Sequence, residues 1–178
     1  MPAPDVLSTL QAFLNSADLV DGTDQLESTA RARAWFAAHS VPGTARLSDA
    51  DRAYACRVRE AVRDVVEANT GATPPTASVD LVNAELGLGH VRPVVGPDGS
   101  LSIVSGGAGV HRALGYLLAE MVRSQADGTW ARFKTCSNDE CRWAFYDRSR
   151  NHSGTWCEMR TCGSRHKMRA YRARAAKT

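Results

Sequence analysis

Cys136-Ser137-Asn138-Asp139-Glu140-Cys141, fifteen further residues, then Cys157-Glu158-Met159-Arg160-Thr161-Cys162 make up the segment on which the rest of this chain is best interpreted. Two Cys-x4-Cys pairs at this separation suit tetrahedral Zn²⁺. Each pair folds its sulfurs onto one side of a tight turn, and a β-hairpin length of chain brings the turns together. Four thiolates close the coordination shell, so one structural zinc ion is expected, held by Cys136, Cys141, Cys157 and Cys162. A module this short cannot fold on apolar burial alone, and metal binding supplies its folding free energy. Disulfides are disfavoured because nothing indicates export, and the spacing fits neither ferredoxin run of an iron–sulfur cluster.

Between the pairs, Arg142-Trp143-Ala144-Phe145-Tyr146 alternates like a strand, with Trp143 and Phe145 on one face. Those two and Trp156 read as packing around the metal, while Tyr146 stays available to stack on a base. After Cys162 a helix is expected. Arg165, Arg169 and Arg172 share one stripe of it, and Met168 and Tyr171 form another that rests on the zinc core.

Charge points the same way. The chain has 178 residues with 22 Lys+Arg against 19 Asp+Glu. Residues 130–178 alone hold 12 Lys+Arg against 4 Asp+Glu, so the remainder is net acidic. A protein that turns one basic face to a polyanion partitions its charge in this way. DNA is the leading partner, with Arg165, Lys167, Arg169, Arg172 and Arg174 as contacts from the helix and Arg148, Arg150 and Arg160 from the hairpin side. RNA suits the same residue chemistry.

Outward from the finger the chain reads as helices. Residues 6–17, behind a capping Asp5, carry one apolar stripe. Residues 24–39 carry another and stop before Val41-Pro42-Gly43. Ser48 and Asp51 form a capping pair for a third helix that runs to Asn69 and Gly71. A shorter helix follows Pro74-Pro75 and is closed by Gly87. Two β-prone runs, 90–95 and 101–105, flank the turn residues Gly96-Pro97-Asp98-Gly99, and a helix over 110–125 ends before Asp127-Gly128. The fold class is therefore α+β. A mainly helical N-terminal domain with one β-hairpin, residues 1–128, precedes a small zinc-bound ββα-like finger, residues 129–178.

The body carries fewer functional signals. No run of about 20 apolar residues marks a membrane span, and the start lacks a secretory pattern. A cytoplasmic protein is expected, and the Arg and Ala bias suggests a GC-rich bacterial genome. The Gly-x-Ser-x-Gly, His-Glu-x-x-His and Gly-x-Gly-x-x-Gly patterns are missing, so the chain reads as a non-enzyme. Ser105-Gly106-Gly107-Ala108-Gly109 reads as a flexible hairpin-to-helix joint in preference to a phosphate nest. Asn15, Arg59 and Asn83 lie on or beside apolar helix faces, where they either line a ligand pocket or hydrogen-bond between helices. His39, His90 and His111 stand in unrelated contexts with no paired His, Glu or Asp at ligand spacing. His152 and His166 read as polar surface groups, and Cys56 as a small buried apolar residue.

The tail, with Cys136-x4-Cys141, Phe145-x-Asp147-x-Ser149-Arg150-Asn151 and Trp156-Cys157-x-Met159-x-x-Cys162-Gly163-x-Arg165-x-Lys167, resembles the CGNR zinc finger. That family joins its finger to an N-terminal ABATE domain in stress-induced transcription regulators. Leu10-x-x-Phe13-Leu14-Asn15, Arg57-x-Arg59-Glu60-Ala61 and Val82-Asn83 look like recurring elements of that domain. Ser164 replaces the Asn of the family's name, and Gly154-Thr155 replaces residues that are often basic. The resemblance implies a zinc-dependent DNA-binding regulator, and a helical body attached to such a finger is expected to sense a small-molecule effector, form a homodimer or recruit another protein. The alternative is a finger that serves as a protein-interaction or structural module on a ligand-binding body.

Overall fold

In the computed structural model, Ala3 and residues 5–175 are described, with the side chains at 5, 6, 88, 89, 169–171 and 173–175 outside that description. The proposed cap Asp5, the packing residue Tyr171 and the predicted contacts Arg169 and Arg174 thus lie outside the described side chains.

Helix α1 (Asp5–Leu14) buries Leu7, Leu10, Phe13 and Leu14. It ends in a small hairpin, β1 (Ala17–Asp18) with β2 (Thr23–Asp24), turned by Gly22 at φ +65°. Helix α2 (Thr29–Ala38) therefore starts later than residue 24: Ser28 is its cap and accepts the Arg31 N–H at 3.3 Å. Asp24 has a tertiary partner instead, taking the two ends of the Arg59 guanidinium at 2.8 and 2.7 Å.

Helix α3 (Asp49–Glu67) opens with the predicted capping box between Ser48 and Asp51. It is the central helix, burying Ala55, Val58, Ala61, Val62 and Val66. Helix α4 (Thr76–Glu85) packs on it. The α4 end differs from expectation, because Gly87 is not a left-handed cap and the chain continues as one wide, π-helical turn over Leu86–His90.

That turn feeds hairpin β3 (Val91–Val95) and β4 (Leu101–Ser105), paired Val91↔Ser105 through Val95↔Leu101. Helix α5 (Gly109–Ala126) then packs along α1 and α3, burying Leu114, Leu117 and Leu118. No helix among the described residues is long and apolar enough to cross a membrane.

The finger comprises β5 (Phe133–Thr135), β6 (Ala144–Tyr146) and α6 (Ser164–Ala175). Its hairpin is not the segment between the cysteine pairs. β5 pairs with β6, Phe133↔Tyr146, so Cys136 and Cys141 sit in the hairpin's own loop. Phe133, Ala144 and Tyr146 belong to the same buried cluster as the helices, so the core runs unbroken from body to finger.

Candidate metal centre and basic face

Cys136 leaves β5 with its N–H donating to Trp143 O at 2.9 Å, and the N–H groups of Cys141 and Arg142 both donate to Asn138 O, at 2.7 and 3.0 Å. This knuckle aims backbone donors toward the sulfurs and puts Arg142 in the left-handed region, φ 46°. Ser137 N–H donates to Thr155 O at 2.9 Å and so ties the first cysteine pair to the approach of the second. The four sulfurs all lie within 4.8 Å of one another, with Cys141–Cys157 at 3.7 Å and Cys157–Cys162 at 3.8 Å.

Those separations are far beyond a disulfide bond of about 2.05 Å. They match a tetrahedron with Zn–S bonds of about 2.3 Å, whose sulfurs stand about 3.8 Å apart. The thiols also oppose one another's ionisation. Hydrogen bonds from Cys141 and Cys157 hold Cys136 far below the usual thiol range, and Cys136 in turn pushes Cys141 and Cys157 upward. A divalent cation removes that conflict, and the donor set is that of a closed structural zinc site. Trp143 and Trp156 pack around the sulfurs as expected, whereas Phe145, also expected there, is buried in β6 outside that cluster.

The segment from 147 to 154 is organised by a buried ion pair. Asp147 accepts Lys134 Nζ at 2.9 Å, Ser149 N–H at 2.9 Å and Gly154 N–H at 2.8 Å. Burial works against the Asp147 charge, but these donors hold its carboxyl well below the ordinary range. Any Cβ at residue 154 would stand 2.7 Å from Asp147 Oδ1, which accounts for glycine at that position. Tyr146 is not free to stack on a base, since it is 6% exposed in the main core, with the Arg148 guanidinium 5.6 Å over its ring.

Most of the described cations of the tail fall into two sets, and Arg132, half-buried, bonds to Asp147 O at 3.5 Å and to His152. Arg142 pairs with Asp64 at 2.6 Å and Glu67 at 3.0 Å on α3, and Lys134 is buried against Asp147. Arg148, Arg150, Arg160, Arg165, Lys167 and Arg172 are exposed. Arg160, Arg165 and Arg172 line one depression of about 470 Å³ beside α6. Met168 shares that depression and is 55% exposed, so it does not rest on the zinc core as its helical position suggested. Ser164 Oγ donates to Met159 O at 3.2 Å, closing the turn that carries Cys162 into α6.

Residues 132–175 match the CGNR zinc finger family. Residues 8–128, more than half of the chain, match the ABATE family, described as "Putative stress-induced transcription regulator". The chain belongs to the ABATE family. No curated protein matches it. The CGNR finger takes a structural zinc ion, and the cluster of Cys136, Cys141, Cys157 and Cys162 is the donor set that fits it.

Within the ABATE body, the three polar residues singled out in the sequence lie in different settings. Asn15 clamps the finger strand β6, donating to Ala144 O at 2.9 Å and accepting Ala144 N–H at 2.8 Å. Arg59 is buried and bonded to Asp24, Glu60 and Ser16. Asn83 is exposed on α4. Cys56 is half-buried in α3, where burial raises its thiol pKa.

The sequence reading missed two features. Arg63, fully buried, donates to Leu14 O and to Arg142 O, the latter at 2.8 Å, and so joins α1, α3 and the CGNR finger. Its position inside an apolar helix face was the only available signal. The second is a correction: His90 and His111 are not in unrelated contexts. Their Nδ1 atoms lie 3.1 and 3.0 Å from the same oxygen, Glu85 Oε1. Tyr54 OH donates to Glu85 Oε2 at 2.7 Å. Burial and that carboxylate push the Tyr54 hydroxyl up to about 12. The glycine-rich joint has a structural purpose as well: a Cβ on Gly107 (φ +77°) would stand 2.7 Å from His90 Cδ2.

Proposed function

We propose that this ABATE protein is a cytoplasmic, DNA-binding transcription regulator in which the CGNR finger supplies the contact surface. The observation that carries the reading is the partition of the finger's cations. Arg142 is neutralised by Asp64 and Glu67 of the body and the buried Lys134 by Asp147 within the finger, while Arg148, Arg150, Arg160, Arg165, Lys167 and Arg172 face solvent. Zinc fixes the start of α6 at Cys162, so the exposed Arg side chains leave a rigid base. Such a face suits phosphate contacts, with Arg165 and Arg172 also able to reach base edges.

The test is fluorescence anisotropy of the zinc-loaded protein with duplex DNA across a salt titration. Binding should weaken with salt, and the log–log slope should fall by about 1 for each phosphate contact removed. Arg165→Ala with Arg172→Ala should lower affinity while zinc content stays unchanged. Unchanged affinity in that double variant rejects the assignment.

A second reading has its own support. Asn15, Arg63, Asp64 and Glu67 all bond to β6 or its knuckle, as expected of a finger that braces the body. Absence of binding to duplex DNA and to single-stranded RNA at low salt, together with body unfolding on zinc removal, would favour it.

A further inference from the structure

We propose that Glu85, His90 and His111 form a second metal site, in the helical body, for a divalent first-row transition-metal ion. Three observations converge. The donor atoms, two imidazole nitrogens and one carboxylate oxygen, all lie within 4.8 Å of one another. The Nδ1 atoms stand 3.1 and 3.0 Å from Glu85 Oε1. Donors bonded at about 2.0–2.2 Å to a common ion, at angles between octahedral and tetrahedral, stand about 2.8–3.6 Å apart.

The second observation is an unmatched atom. His90 Nδ1 is buried and has no hydrogen-bond partner although Glu85 Oε1 is only 3.1 Å away. A ring nitrogen close to a carboxylate oxygen but off the N–H···O line is the arrangement left when both donors converge on a third point between them. Glu85 itself is completely buried, and among the described residues its ion-pair partners are these two imidazoles. A divalent cation offsets that buried negative charge.

The third observation is preorganisation. Tyr54 OH holds the second carboxylate oxygen, Oε2, at 2.7 Å, the outer contact that orients a ligating carboxylate; Oε2 is also 3.1 Å from His111 Nδ1. The imidazoles stack with centroids 5.0 Å apart. His90 is seated by two glycines, because a Cβ at 107 would be 2.7 Å from its ring and one at 115 would be 2.9 Å from its carbonyl oxygen. His111, with its side chain 42% exposed, opens the site to solvent, so the remaining coordination positions go to water. Two imidazoles and one carboxylate select borderline ions such as Zn²⁺, Fe²⁺, Co²⁺ or Ni²⁺ over Ca²⁺ and Mg²⁺.

The experiment is Co²⁺ loading of the full chain, read by metal content and by visible absorption. The expected result is two ions per chain. One should show the thiolate-to-cobalt charge transfer of the finger, and the other only the weaker bands of a nitrogen and oxygen donor set. His111→Ala, at a partly exposed position, and His90→Gln should each bring the content to one ion per chain with the thiolate bands intact. Tyr54→Phe should weaken the second ion by about 10–100-fold. A single ion per chain in the native protein, or a second ion that survives both histidine substitutions, overturns the proposal.

Discussion

The four-cysteine cluster of the finger and the Glu-His-His cluster of the body each draw their donors from 27 residues of chain, 136–162 and 85–111. The first is visible in the sequence and the second is not. Cysteine is rare here, and its pairs repeat one spacing, so the chain advertises the geometry before it folds. Glu85, His90 and His111 are separated by irregular intervals. They meet because a wide turn and the β3–β4 hairpin return the chain to the start of α5. Local spacing announces a site only when local turns build it.

Removing the metal that local spacing provides should disturb this contrast most. Cys162→Ser should release the finger zinc and cost on the order of 5 kcal/mol or more, because structural zinc is folding free energy. Phe133, Ala144 and Tyr146 are shared with the body core, so calorimetry should record one broadened or lowered transition for the whole chain. Two well-separated transitions would show that finger and body are independent.

Next in size is Arg63→Met. It leaves Leu14 O and Arg142 O without their buried donor and should destabilise by about 3–4 kcal/mol in urea unfolding. A cost under about 1 kcal/mol would mean that the junction does not depend on Arg63.

Glu120 separates body from finger through pH. Burial raises its carboxyl from the ordinary 4.5 to about 7, against the opposing bonds from Leu10 N–H and Thr9. Between those values the folded chain keeps a proton that the unfolded chain has released. Its contribution to stability is therefore fully present below about pH 4.5, falls as pH rises, and is lost above about pH 7. The fall amounts to about 3 kcal/mol. Glu120→Gln should flatten the profile across this window and be the more stable form at alkaline pH; an unchanged slope would exclude Glu120 as its origin.

The smallest effect is expected from Gly107→Ala, which sets a Cβ against the His90 ring at a left-handed position. A loss of about 1–2 kcal/mol is expected by thermal melting, together with weaker binding of the second ion. Unchanged stability would mean that the joint is slack and that His90 is not seated by it.

How much was legible varies by element. The β3–β4 hairpin and the α3 capping box could be read directly, because turn residues and caps act within four residues of themselves. The start of α2 could not be read, since Asp24 looks like a cap and is instead fixed by Arg59 from α3. Tyr146 was read as available to nucleic acid, yet all three residues of β6 are buried, with α1 packed on the strand and Ala144 and Tyr146 in the main core. Alternation in a strand of three residues carries no information about a second covering layer.

Residue type and near spacing were enough to specify the four zinc ligands, the helical class of the body, the hairpin and the family. Three other features emerged only when the chain was packed. Some tail cations are neutralised inside while others face outward, the finger shares its core with the body, and Glu85, His90 and His111 gather at one oxygen. One cause underlies all three. Buried polar groups must find partners wherever the packed chain offers them, and those partners come from segments whose separation in sequence carries no signal.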